Sequence, residues 1–280
     1  MRAVENKTAL APLGAEVDNK IWIRPETTGK ATQWGDLSEI IKDAITYPTK
    51  NITALVIYLV LGFLVGLVLV FTGIGSFATG SFSFGAGVVI GIVGIIVVIC
   101  LYLLMSGFSL DVIKFAINRR DDAPSIDFGN QVSNGFKYLI VSFVYLIIPI
   151  IIGVVLGFFV NQWLGVIVGL ILFIIFMLGL TMAECRLAQT SELGHALDIG
   201  GAISDISKIG LGKVIITIIA ALIVGMICIF ILNFIVGLIL GIIGSETITS
   251  TIVPIWTTVI DAWFLFYMNR VMGLLYSDIA

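Results

Sequence analysis

Six stretches of this chain are apolar on every helical face and hold no Lys or Arg: Ile52–Phe71, 87–106, 138–160, 164–182, 214–243 and 251–267. Each is near or above the roughly 20 residues that a helix needs to cross a hydrocarbon core of about 30 Å. Barrel strands in lipid would instead be short and alternating, so the pattern predicts helices. Ahead of the first stretch the period changes. Leu37, Ile40, Ile41, Ala44 and Ile45 recur at i, i+3, i+4, i+7 and i+8, with Glu39, Lys42 and Asp43 on the other face. This spacing predicts an amphipathic helix lying in the membrane interface and ending at Pro48. Ile199, Ile203 and Ile206 form a second such stripe, with Asp198, Asp205 and Lys208 off it; residues 124–136 fit the pattern less well.

The predicted fold is therefore all-α: an integral membrane bundle of six transmembrane helices, arranged as three helical hairpins with short interfacial amphipathic helices. Residues 1–35 mix five basic with four acidic side chains and contain Pro12, Pro25, Gly14 and Gly29 without periodicity. They read as a flexible tail, and residues 36–280 as the transmembrane domain. The fifth stretch would measure roughly 45 Å as one helix, so it is expected to tilt, protrude or break near Gly237 and Gly241. GxxxG spacing at Gly62/Gly66, Gly87/Gly91, Gly153/Gly157, Gly165/Gly169 and Gly237/Gly241 predicts close helix crossings within the molecule. Asn161, Gln162 and Trp163 form nearly the whole turn between the third and fourth spans, which makes those spans antiparallel neighbours.

Charge adds orientation. Lys plus Arg number seven before the first stretch, then zero, four, zero, three and zero in successive loops, and one after the last. Basic loops stay on the cytoplasmic side, so both termini are expected there and the membrane is expected to be the cell membrane. Lys50, Lys137 and Lys213 each precede an odd-numbered span, whereas Lys114, Arg186 and Arg270 follow or close an even-numbered one. The text from Gly107 to Ala116 is similar to that from Gly179 to Ala188, and the segment from Trp263 to Met272 keeps only the Arg. These features read as three copies of one unit, against the simpler alternative that the charge rule alone imposes basic ends.

Composition narrows the function. Hydrophobic residues make up 59% of the chain and charged ones 12%, and the net charge is −3, with no basic patch for nucleic acid. The first 30 residues hold no apolar core of a cleavable signal, so the first span is expected to direct insertion. Cys100, Cys185 and Cys228 are isolated, which implies neither a disulfide framework nor a zinc site. His195 stands alone among scattered acids and reads as a solvated loop residue; no metal or cofactor is expected. Asp111/Lys114 and Glu184/Arg186 read as interfacial charge pairs or solvated ends. Asn51-Ile-Thr53 has glycosylation spacing but falls on the cytoplasmic side. Hydrolase, metalloprotease, P-loop and dinucleotide-binding motifs are absent from the sequence.

Asp261 is the charged residue deepest inside a span. Arg270 lies nine residues later, which places the carboxylate roughly 13 Å deep. The same ruler puts Tyr58 and Tyr145 near that level, so the candidate site is a polar midplane cluster of Asp261, Tyr58 and Tyr145 binding a proton, cation or polar solute. A structural Asp fastening the bundle is the competing reading.

Tyr47-Pro-Thr-Lys, the Gly107-Phe-Ser-Leu closure, Pro124-Ser-Ile-Asp-Phe-Gly-Asn, Asn134-Gly-Phe-Lys-Tyr, Thr190-Ser-Glu-Leu-Gly-His-Ala-Leu-Asp and the ending Asn269-Arg-Val-Met-Gly-Leu-Leu-Tyr resemble a mainly archaeal membrane family, catalogued as domain of unknown function 4013. The likeness runs from about Asp36 to Tyr276. It implies a multi-pass, archaeal membrane protein and carries over no site residues. The expectation is a non-enzymatic module that organises partners or lipid, contacting the bilayer and engaging proteins through its cytoplasmic face. A small-solute permease or channel centred on Asp261 is second, and a lipid-modifying enzyme third. Oligomeric state is not legible.

Overall fold

The computed structural model describes residues 33–71 and 86–280. The tail up to residue 32, and the connection between the first two apolar stretches, lie outside them. Among the described residues every regular element is a helix.

The first two, α1 (Gln33–Lys50) and α2 (Ile52–Phe71), meet at an angle of 76° at Asn51. The Asn51 side-chain amide holds that corner by donating to the carbonyls of Tyr47 (3.1 Å) and Asp121 (2.9 Å). Pro48 does not end α1, as its sequence position suggested; it sits in the last turn. A proline removes one amide donor, and here packing holds the turn, because Ala44, Tyr47 and Pro48 are all buried.

The chain continues through α3 (Ala86–Ile117), α4 (Phe128–Phe159), α5 (Gln162–Thr190), α6 (Leu193–Ala196), α7 (Ile199–Ile209), α8 (Leu211–Ile243) and α9 (Glu246–Tyr276). Among the described residues α3 (from Gly91), α4, α5 and α8 are long and apolar enough to cross a membrane, and α1 with α2 would make a fifth span if the bent pair crosses as one. The helix α8 is unbroken over 33 residues and stops at Gly244, whose φ of 64° is the left-handed conformation that glycine adopts at low cost. Gly237 and Gly241 neither break it nor mark a crossing, since a Cβ at either, or at Gly91, would meet nothing within 4 Å. The crossing of α4 and α5 does use its glycines: a Cβ on Gly153 would lie 3.1 Å from the Cα of Gly169.

Several helices overrun their apolar stretches at one end of the bundle. α3 continues to Ile117, α5 to Thr190 and α9 to Tyr276, and α4 starts at Phe128, well before its stretch. These extensions hold most of the buried core. One apolar cluster gathers Tyr145, Met182, Cys185, Val214 and Leu275; a second Ala44, Ala116, Ala221, Tyr267 and Val271; a third Tyr47, Tyr58, Phe108, Ala262 and Phe266. The opposite halves of α4, α5 and α8 expose Ile, Val, Leu and Phe almost continuously. Transfer from water drives no further burial among segments that face hydrocarbon, so packing concentrates where the helices leave it.

Candidate functional site

The basic end of the bundle is a layer of charge. Arg186, in the last turns of α5, is 6% exposed yet uses its whole guanidinium. Nε donates to the His195 carbonyl (2.9 Å), one terminal nitrogen to Asp205 (3.0 Å), and the other to Asp198 (3.3 Å), with His195 Nε2 also 3.3 Å away. Asp205 on α7 is 3% exposed and also accepts from Lys208 (2.7 Å) and from the Tyr276 hydroxyl (3.2 Å). Burial pushes the Asp205 carboxyl up, but the Lys208 hydrogen bond and the Arg186 guanidinium outweigh that and hold it below the usual carboxylate value.

This corrects the periodicity reading of α7. Its buried side chains are Ala202, Asp205 and Ile206, whereas Ile203 is exposed. Pairing with Arg186 overrides hydrophobicity, because a buried guanidinium without its carboxylate would cost several kcal/mol. Arg186 also does not pair with Glu184, as their proximity in sequence suggested. Glu184 instead lies beside Tyr138 of α4.

Arg270, near the end of α9, is 1% exposed and repeats the arrangement on the other side. Its Nε donates to Asp43 on α1 (2.7 Å), one terminal nitrogen donates to the Arg120 carbonyl, and the other lies 3.6 Å from Asp121. The guanidinium sits 4.4 Å above the centre of the Tyr47 ring, a cation–π contact. Asp278 then ties Arg119 (3.4 Å) to Lys213 (2.8 Å), which extends the layer from the end of α3 to the start of α8. The third joint, between α3 and α4, has no such arginine. Gln131, 1% exposed, donates to Asp111 (2.9 Å) and to the Ser125 carbonyl (3.1 Å). Lys114 is exposed.

The second feature lies deeper. A cavity of 240 Å³ between α2, α3 and α9 is lined by Tyr58, Gly62, Val65, Val98, Tyr102, Met105, Asp261, Ala262 and Leu265. Asp261 lines it, is exposed, and makes no hydrogen bond or ion pair with any described residue. The Tyr58 hydroxyl is already bonded to Ser109 (2.9 Å), and its ring packs between Phe108 and Phe266. At the centre of a membrane span an ionised carboxylate costs about 2.5–3.5 kcal/mol on insertion scales.

Two of the three residues picked from sequence thus line one cavity, and the third does not. Tyr145 belongs to the cluster around Met182, and its hydroxyl donates to the Ala196 carbonyl on α6 (3.1 Å). Equal depth does not imply a shared face. Tyr102 also lines the cavity and lies outside the sequence-derived set, although it stands roughly 18 Å inward of Lys114 and the same ruler reaches it. In the sequence Arg186 and Arg270 mark orientation, with Arg186 also a candidate partner of Glu184, and their burial is not apparent there. Arg186 has a periodicity cue, since it continues the buried run Met182, Ala183, Cys185 along α5. Among the described residues no three His, Cys, Asp or Glu side chains gather as a metal site, and the cysteines are free.

A family model described as "Protein of unknown function (DUF4013)" matches residues 89–244. The match takes in the α3–α4 joint and Arg186 with its partners on α7, and leaves out α1 and α9. No curated protein and no solved structure matches the chain.

Proposed function

This chain belongs to the protein family of unknown function DUF4013, and from that premise we propose that it is a non-enzymatic module of the cell membrane that presents a fixed polar platform to partners. In this reading α2, α3, α4, α5, α8 and α9 all span the bilayer as three hairpins, α1 and α7 lie in the interface, and both termini are cytoplasmic. The helix α9 carries Asp261 within an otherwise uncharged run from Thr247 to Asn269, and its 31 residues exceed the length a span needs. The alternation of Lys and Arg between loops supports the orientation.

One observation carries the platform reading: two buried arginines fasten the amphipathic helices α1 and α7 to the ends of α9 and α5. Buried ion pairs add little net stability, and their best-attested use is to specify one arrangement. A carrier that alternates access rocks one half against the other, whereas these pairs clamp the connecting segments.

The permease reading rests on the Asp261 cavity, and uptake separates the two. In phosphatidylcholine vesicles containing the full chain, uptake of labelled cations, amino acids and sugars should equal that of empty vesicles. Saturable uptake abolished by Asp261→Asn would overturn the platform reading. In native membranes, a cross-linked partner should be lost on combined Lys42→Glu and Lys114→Glu substitution and kept in Asp261→Asn. A cross-linking pattern blind to the two lysines would count against a partner at this face.

A further inference from the structure

We propose that the cavity between α2, α3 and α9 binds the ammonium head of an amphiphilic amine, with Asp261 as counter-ion. The carboxylate makes no hydrogen bond or ion pair with any described residue and faces a 240 Å³ space. An anionic ligand is excluded by its charge. A bare metal ion is poorly served, since magnesium or calcium takes at least six oxygen ligands and the wall offers one carboxylate and two phenols. One of those phenols, Tyr58, is already engaged with Ser109.

An organic ammonium needs much less. One carboxylate and an aromatic neighbour suffice, because a cation gains from the face of a phenol ring as well as from the ion pair. Tyr102 supplies that neighbour and is half exposed. The remaining wall, Gly62, Val65, Val98, Met105, Ala262 and Leu265, is apolar and suits the hydrocarbon part of the same molecule. Position agrees with this chemistry. Asp261 lies roughly 13 Å along α9 from Arg270, at hydrocarbon depth, where a hydrophilic solute would rarely arrive and an amphiphile would.

The test uses the full chain in phosphatidylcholine nanodiscs and radiolabelled hexylamine, with saturable binding measured above partition into empty discs. Hexylamine should bind one per chain, and hexanol and hexanoate should not displace it. Asp261→Asn should weaken binding roughly tenfold or more, and Tyr102→Leu a few-fold. Asp261→Glu should bind within a few-fold of the parent. Thermal unfolding of each variant in the same discs confirms that it is folded; if Asp261→Asn does not fold, the Asp261→Glu and Tyr102→Leu pair decides. Absence of a saturable component, equal displacement by hexanol, or binding unchanged in folded Asp261→Asn would each overturn the proposal.

Discussion

Three helix ends at the basic side are fastened to another helix, and they are fastened in two ways. The ends of α5 and α9 each send a buried arginine to a carboxylate on a short amphipathic helix, Asp205 on α7 and Asp43 on α1. The α3–α4 joint is steric instead. A Cβ on Gly107 would run into the Gln131 backbone, and one on Gly135 into the Leu103 backbone, so only glycine lets these two helices approach so closely. Where a short helix must be held in place, charge gives direction; where two long helices already lie side by side, shape is enough. The chain also closes on itself through these joints, because the α9 end grips α1.

The ionic joints differ in depth, and that sets the expected ranking. Replacing Arg186 with Met leaves an Asp205 carboxylate that is 3% exposed with only the exposed Lys208 and the Tyr276 hydroxyl, and should cost about 3 kcal/mol in SDS-unfolding titrations. Adding Asp205→Leu should recover most of it, because the buried carboxylate that lost its guanidinium is then removed as well; an uncorrected loss would mean that the pair itself is stabilising. Gly135→Val comes next, at about 2–3 kcal/mol by the same titration, since the valine must push two backbones apart.

Arg270→Met should cost less, about 2 kcal/mol, because the Asp43 side chain is 30% exposed and water can replace its partner. A loss equal to that of Arg186→Met would erase the distinction between the joints. pH gives a smaller effect. The Asp205 carboxyl is held below its ordinary value of 3.8, so its contribution is complete above about pH 4 and fades as pH falls through the lower folded value. The melting temperature of the parent should fall more steeply than that of Asp205→Asn below pH 4, with the two curves parallel above it. Smallest of all, Gly237→Ala faces open space on α8 and should leave stability unchanged or raise it by up to about 1 kcal/mol.

The linear text was informative wherever the bilayer acts as solvent. Hydrocarbon demands long apolar helices and rejects charge, so the positions of α3, α4, α5 and α8, each long and apolar enough to cross, follow from hydropathy and length. Hydropathy does not mark helix ends that run past an apolar stretch, as α3 does to Ile117 and α5 to Thr190, because outside a lipid core a helix can continue through charged residues. The depth ruler placed Asp261 and Tyr58 together and wrongly added Tyr145, since distance along an axis says nothing about rotation around it.

What residue order alone determined is the helical class, the number and place of the apolar runs, and the gathering of basic residues at alternate turns, all of which follow from one-dimensional preferences for oil or water. What tertiary structure decided is which charges meet. Asp205 turns inward against its own periodicity, Glu184 ignores Arg186 two residues away, and Arg270 reaches back across the chain to Asp43. Pairing depends on how helices are rotated and crossed, and that is settled by packing between segments distant in sequence, where no local pattern records it.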